Sequence, residues 1–155
     1  VAPIMCELGD DFVLYYTGGP AADKDKRSMP ANMVDIGRLN GDQVVAAMQQ
    51  ADAFLFPSRS EGLPLAPVEA MACGLPVIAG NGSSLPEVVK NGVNGCVCPA
   101  DDVPAFVTAA RCMAMDSDDL ARMSANARQM ARDRFSIEAM VNEYVGLYRE
   151  ALRLR

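Results

Sequence analysis

The sequence predicts an α/β fold: a Rossmann-like parallel sheet flanked by helices, followed by three helices at the C-terminus. Three observations carry this reading. Short apolar, β-rich runs alternate with helical patterns as far as Cys98. From Asp102 onward the pattern is helical throughout. Half of the 155 residues are apolar, enough to bury a core, and that length fits one domain.

Taken in order, residues 12–17 (FVLYYT) form the first strand, ended by the Gly18-Gly19-Pro20 break. A polar loop over 20–32, the one segment expected to be mobile, leads to a short strand from Met33 to Ile36. A helix over 42–50 precedes the strand Ala53-Phe54-Leu55-Phe56, which Pro57 closes. After the loop SRSEG comes a helix over 65–73 stopped by Gly74. Residues 77–79 form a fourth strand, 85–90 a short helix, and 96–98 a fifth strand. The closing helices are expected at 102–114, 117–133 and 136–153, with Ser117 and its two aspartates starting the second and Ser136 capping the third.

Composition excludes several functions. The net charge of −6 argues against nucleic acid as a partner, because phosphate contacts need clustered Lys and Arg. No run reaches the roughly 18 apolar residues of a membrane-spanning helix. The five cysteines, at 6, 73, 96, 98 and 112, fit reduced, buried thiols of a cytoplasmic protein. Cys96 and Cys98 read as core residues of a strand, not as metal ligands, since no histidine completes a zinc site. The absence of histidine also removes Ser-His and Cys-His triads.

The informative segment runs from residue 58 to 77. Between Leu63 and Leu75 every residue is apolar, Gly or Pro except Glu69. A helix apolar all round is expected to be buried. A carboxylate there needs an internal partner or a ligand cleft. Ligands of open α/β sheets sit beyond the carboxyl ends of strands, where this helix begins. The amides of Gly62, Leu63 and Leu65 can hold an anion at its N-terminus. Glu61 lies at the same end, eight residues before Glu69, a spacing that a helix would span over roughly 12 Å. The arrangement is two diol-gripping carboxylates flanking a backbone-lined diphosphate site. Taken singly, Glu61 also reads as a solvated loop acid and Glu69 as a structural acid on a neighbouring turn; their joint placement favours a ligand site.

Residues 60–79, SEGLPLAPVEAMACGLPVIA, resemble the signature of family 4 glycosyltransferases: Glu, seven residues, Glu, Ala-Met-Ala-Cys-Gly and a Pro-initiated strand. VDIGRL, DQVVAAMQQADAFLFPSRSEG, NGSSLPEVVKNGVNGCVCPADD and ARDRFSIEAMVNEYVGLYREAL are similar to the same family in order, so the resemblance covers nearly the whole chain. It implies the GT-B fold and identifies residues 1–155 with the C-terminal, nucleotide-sugar-binding domain of a two-domain retaining enzyme, with a separate N-terminal acceptor domain. It further implies hexose transfer from a nucleoside-diphosphate sugar to a hydroxyl acceptor, without metal or cofactor. In it, Glu61 would contact the transferred sugar, Glu69 the ribose, the amides of Gly62, Leu63 and Leu65 the sugar and diphosphate, and Gly37, Arg38 and Leu39 would border the base mainly through backbone groups; Arg38 reads equally as a solvated edge residue.

Two departures stand out. The usual Gly-Gly-x-Pro-Glu loop reads Gly82-Ser83-Ser84-Leu85-Pro86-Glu87, making Glu87 a helix-start acid in place of a ligand. The family's first strand, with its Gly-Arg…Lys-Gly segment, has no counterpart here. That strand would be central, between 12–17 and 53–56, so the expectation is an imperfect sheet, an alternative pairing or a neighbouring chain in the gap.

Two rivals are weighed. A nucleotide-sugar epimerase of the same architecture needs acid-base residues that a chain without histidine scarcely supplies. A receiver-like interaction module needs acids clustered at strand ends, which 17–19, 37–39 and 57–59 lack. The stripe Ile137, Met140, Val141, Tyr144, Leu147, Tyr148 and Leu152 is expected to be mostly core, with its far end on the absent domain or on a second copy. The arginines beyond 111 are expected on a solvated helical face. The expected partners are a nucleotide sugar and an acceptor sugar or lipid. The expected place is the cytoplasm, with peripheral membrane contact where the acceptor is a lipid.

Overall fold

The computed structural model describes residues 1–18 and 29–154. Gly19, Pro20 and most of the polar loop at 20–32 lie outside the described residues. The helices are α1 (Ala2–Leu8), α2 (Gly41–Met48), α3 (Leu65–Ala72), α4 (Leu85–Val88), α5 (Val103–Met115), α6 (Ser117–Phe135) and α7 (Ile137–Arg153). The strands are β1 (Leu14–Tyr16), β2 (Met33–Asp35), β3 (Phe54–Phe56), β4 (Val77–Gly80) and β5 (Gly95–Cys98), and a 3-10 turn, Gly9–Asp11, follows α1.

The α/β reading with three closing helices holds, and local chemistry explains most boundaries. A capping box starts α2: Asn40 Oδ1 accepts from the Gln43 amide at 3.0 Å, and Gln43 Oε1 accepts from the Asn40 amide at 3.0 Å. Asp102 caps α5 through the Ala105 amide, and Ser136 caps α7 through the Ala139 amide. The cap of α6 is Asp116, not Ser117; its carboxylate accepts from the amides of Asp118 and Asp119. A carboxylate answers both free amides and the helix dipole, which a hydroxyl does less well. Gly74, at φ 89°, ends α3 in the left-handed region. Helix α1 was not anticipated. It has no side-chain cap and spans seven residues, and it is held by burial of Ile4, Met5 and Leu8.

The sheet is split. β1 pairs with β2 in parallel, Leu14 opposite Met33, and β3, β4 and β5 form a separate parallel sheet. Among the described residues no strand joins the two. One layer still spans both. Leu14 and Met33 pack with Leu55, Ile78 and Cys96 against Ile4, Met5, Leu8 and Phe106 from α1 and α5. On the opposite face, Phe54, Phe56, Val77, Ala79 and Val97 meet Met71 of α3 and Ala127 and Ala131 of α6. β4 is buried at every position, as a central strand covered on both faces must be.

One expectation is corrected. The apolar stripe of α7 is not core: no residue of this helix is buried, and Tyr144 and Tyr148 are more than half exposed. Its chief neighbour is α6, so most of its apolar face has no cover among the described residues. The arginines lie on exposed helical faces as expected, and three of them also answer helix ends. Arg111 donates to the Glu7 carbonyl, Arg128 to that of Cys73 and Arg134 to that of Glu87. Those carbonyls lie at the ends of α1, α3 and α4, where helices leave acceptors and negative partial charge unanswered.

Asn94 is the one buried polar side chain of the core among the described residues. Its Oδ1 accepts from the Lys90 amide at 2.6 Å and its Nδ2 donates to the Val88 carbonyl at 3.0 Å. Replacement by Ala leaves both backbone groups unsatisfied, so Asn94→Ala is expected to cost about 2–4 kcal/mol in urea unfolding, against under 1 kcal/mol for the exposed Asn142→Ala.

Candidate donor site

The site is assembled where β3 ends. Pro57 closes the strand, residues 58–62 form the loop, and α3 begins at Leu65. Glu61 is half-buried, and its Oε1 accepts from the Ser58 hydroxyl at 2.7 Å, which fixes the carboxylate's direction. Gly62, Leu63 and Leu65 are exposed, the two leucines at 63% each, and their amides have no partner among the described residues. These are the free donors expected of a helix entry. Pro64 and Pro67 are buried in the first turn, where the helix has no use for their missing N–H groups.

Helix α3 is not buried on all sides, as its composition led us to expect. Pro67, Ala70 and Met71 face the core, while Leu65, Glu69 and Ala72 face outward. Glu69 is exposed and has no hydrogen-bond or ionic partner among the described residues. No internal partner of this carboxylate is found among the described residues, and the helical face that carries it is exposed. Its apolar neighbours make that face unlike an ordinary solvated one.

Arg38 and Leu39 follow β2, at the carboxyl end of the other sheet. Gly37, at φ 74°, turns the chain there; its amide donates to Asp35 Oδ1 at 2.8 Å, and its carbonyl accepts from the Thr17 hydroxyl at 2.6 Å. Arg38 is exposed and Leu39 half-buried, and no described hydrogen bond links 37–39 to 61–69. The structure places Glu61, Gly62, Leu63, Leu65 and Glu69 on one loop and helix after β3, and Arg38 and Leu39 in the segment after β2.

Sequence reasoning missed the neighbours of that loop. Ser83 and Ser84 lie across from it, with Ser60 and Ser83 sharing a hydrogen bond at 3.2 Å. Behind it, a cavity of about 390 Å³ lies between the start of α1 (Val1, Pro3, Ile4), Pro57 and Arg59, and the start of α5. Arg59 pairs with Asp101 at 2.6 Å on its rim. No short-range pattern signals these contacts, because they join loops far apart in sequence.

Among the described residues no group of three or more His, Cys, Asp or Glu could hold a metal ion. Cys98 is buried and Cys73 and Cys96 half-buried, but Cys6 and Cys112 are exposed, so burial of all five thiols does not hold. α1 and α5 each turn one cysteine to the outside while packing their other face on the sheet. No helix of the described residues is long and apolar enough to cross a membrane.

The family model for glycosyl transferases group 1 matches residues 22–130. A D-inositol 3-phosphate glycosyltransferase of Saccharomonospora viridis is 30% identical over 151 residues, covering 90% of this chain and 35% of that protein. A lipopolysaccharide core biosynthesis mannosyltransferase of Rhizobium meliloti is 36% identical over 104 residues, covering 66% of this chain and 30% of that one. The chain thus spans about a third of the length of these relatives. In three dimensions it resembles Anabaena HepE, solved with UDP and glucose, at a TM-score of 0.78 and 19% identity over 96% of this chain and 44% of that one. Sucrose-phosphate synthase of Thermosynechococcus elongatus gives a TM-score of 0.78 at 23% identity over 92% of this chain and 39% of that one.

Burial pushes the Cys98 thiol up to about 11, and the thiols of Cys73 and Cys96 are raised by the same cause. Only the thiolate alkylates, so raised thiols are slow at pH 8 and quicken as pH rises. Iodoacetamide at pH 8 is expected to modify Cys6 and Cys112 at least tenfold faster than Cys98, as read by peptide mass spectrometry.

Proposed function

The chain belongs to the glycosyl transferases group 1 family, and from that membership we propose that it is the donor-binding domain of a retaining glycosyltransferase. In this reading the enzyme moves a hexose from a nucleoside-diphosphate sugar to a hydroxyl acceptor. The observation that carries it is the pairing, at one helix entry, of a fixed carboxylate with three amides and a second carboxylate, one helix turn on, that have no partner among the described residues.

Each group has a role that its chemistry fits. The amides of Gly62, Leu63 and Leu65 and the dipole of α3 hold the diphosphate, which is also the leaving group. Charge that develops on it in the transition state falls on donors already in place. Glu69 accepts the two ribose hydroxyls, and Glu61, held by Ser58, orients the sugar ring. Arg38 and Leu39 border the base. Two carboxylates that grip different rings do not flank one glycosidic bond, so hydrolysis is not the reaction this arrangement favours. The reading needs no metal and no cofactor.

The acceptor, whether sugar or lipid, would be held by polypeptide outside these 155 residues, as in an enzyme of two facing domains. By itself the chain is expected to bind nucleotide weakly and not to transfer sugar. The open face of α7 would pack on that other domain, or on a second copy when the domain is absent. A cytoplasmic enzyme, at the membrane surface when its acceptor is a lipid, is consistent with this reading.

A nitrogen–proton NMR titration with UDP, GDP and ADP tests the site. Shifts are expected at 37–39 and 61–69, and Glu69→Gln is expected to weaken binding about tenfold or more, since a charged acceptor is replaced by a neutral one. Shifts that avoid 61–69 would remove the assignment. Sedimentation tests the α7 face: concentration-dependent association is expected, and Leu147→Glu with Tyr148→Glu is expected to abolish it.

A further inference from the structure

The loop carrying Glu61 is fastened to the loop after β4 by hydroxyls to which the donor-site reading gives no task. The Ser84 hydroxyl donates to the carbonyl of Gly62 and lies 3.4 Å from that of Glu61. The hydroxyls of Ser60 and Ser83 are 3.2 Å apart. Two glycines make this approach feasible: a Cβ on Gly80 would stand 2.5 Å from the Ser58 carbonyl oxygen, and one on Gly82 would overlap that of Arg59.

Ser83 is strained. Its φ of 49° lies in the left-handed region, and it is the one non-glycine residue there among the described residues. Glycine would relieve that strain but remove the hydroxyl that meets Ser60. Ser84 needs its hydroxyl for a similar reason: α4 begins after it, yet the hydroxyl caps no amide of that helix and reaches across to the Glu61 loop instead. The Glu61 carboxylate is fixed separately by Ser58. Side chain and backbone of this residue are thus pinned from two directions.

We infer that Ser83 and Ser84 are positioning residues, holding Glu61 and Gly62 ready for the donor's sugar and thereby favouring nucleotide sugar over bare nucleotide. The inference rests on the donor-site reading above. A loop ordered in advance does not have to lose that freedom on binding. Because Glu61 faces only the sugar, whereas Gly62 supplies one of three amides to the diphosphate that both ligands carry, the clamp should act more on the sugar nucleotide than on the bare nucleotide.

The test uses the protein with Ser84→Ala, Ser84→Thr and Ser83→Gly, measured against UDP and UDP-glucose, and against GDP and GDP-mannose. Ser84→Ala is expected to lower the ratio of sugar-nucleotide to nucleotide affinity about three- to tenfold, the size of one hydrogen bond, and Ser84→Thr to restore it. Bare nucleotide, which keeps Glu69 and the amides of Leu63 and Leu65, should lose less affinity than the sugar nucleotide does. Without ligand, nitrogen relaxation should show the order parameters of Glu61 and Gly62 falling from about 0.85 toward 0.6 in Ser84→Ala. Ser83→Gly should melt at a higher temperature than the parent and yet lose discrimination, opposite signs that a purely structural role would not give. Should Ser84→Ala fail to fold, Ser83→Gly carries the comparison. Unchanged order parameters or an unchanged affinity ratio overturn the clamp. Absence of any nucleotide effect on the parent protein overturns the donor-site reading itself.

Discussion

The contact on which most of the structure depends is the Asn94 side chain, fully buried where α4 turns into β5. Its amide nitrogen reaches the end of α4 at Val88 and lies beside the sulfurs of Met71 and Met130, while its oxygen takes the Lys90 amide. One side chain thereby ties together a helix end, a turn, and the two helices α3 and α6 that cover the sheet. A polar group enclosed in this way fixes a single arrangement, because any shift leaves a donor or acceptor unanswered. The next residue, Gly95, begins β5 so close to β4 that a Cβ would overlap the Val77 backbone. β4 is thus located from its start, and the loop at its far end, 80–84, is located with it. That loop meets the one carrying Glu61. Asn94 and the loop carrying Glu61 thus stand at opposite ends of β4 and are linked through it.

Much of the architecture was legible in the sequence because it is local. Alternating strand and helix patterns gave the parallel layers, Ser136 and Gly74 marked helix ends, and the apolar run interrupted by Glu69 marked the candidate site. What was illegible is relational. A periodic stripe says which face of α7 prefers cover, not whether cover is present. The same limit applies to α3, whose composition reads as buried although one side lies open. Helix α1 escaped notice because it lacks a cap and owes its shape to Ile4, Met5 and Leu8 fitting under the sheet. The hydroxyl contacts of Ser83 and Ser84 join positions more than 20 residues apart, and no spacing rule connects them.

The two carboxylates differ in what surrounds them, and this bears on their chemistry. Glu61 sits in a half-enclosed loop with a hydroxyl donor on one oxygen, a setting that favours fixed direction. Glu69 stands on an open helical face between apolar neighbours, a setting that favours reach. Leu63 and Leu65, exposed beside them, offer an apolar surface on which the flat side of a ring can rest.

The split sheet has a consequence for how the molecule comes apart. Strands β3, β4 and β5 are joined by two successive crossovers within residues 54–98 and share one ladder, so they open together. The β1–β2 ribbon shares no ladder with them and is held through side chains of α1 and α5. Its opening free energy is therefore the lower of the two, and under mild denaturant it detaches while the Glu61 lobe persists. Opening is then expected to begin in the ribbon that leads to Arg38 and Leu39, before the sheet that leads to Glu61.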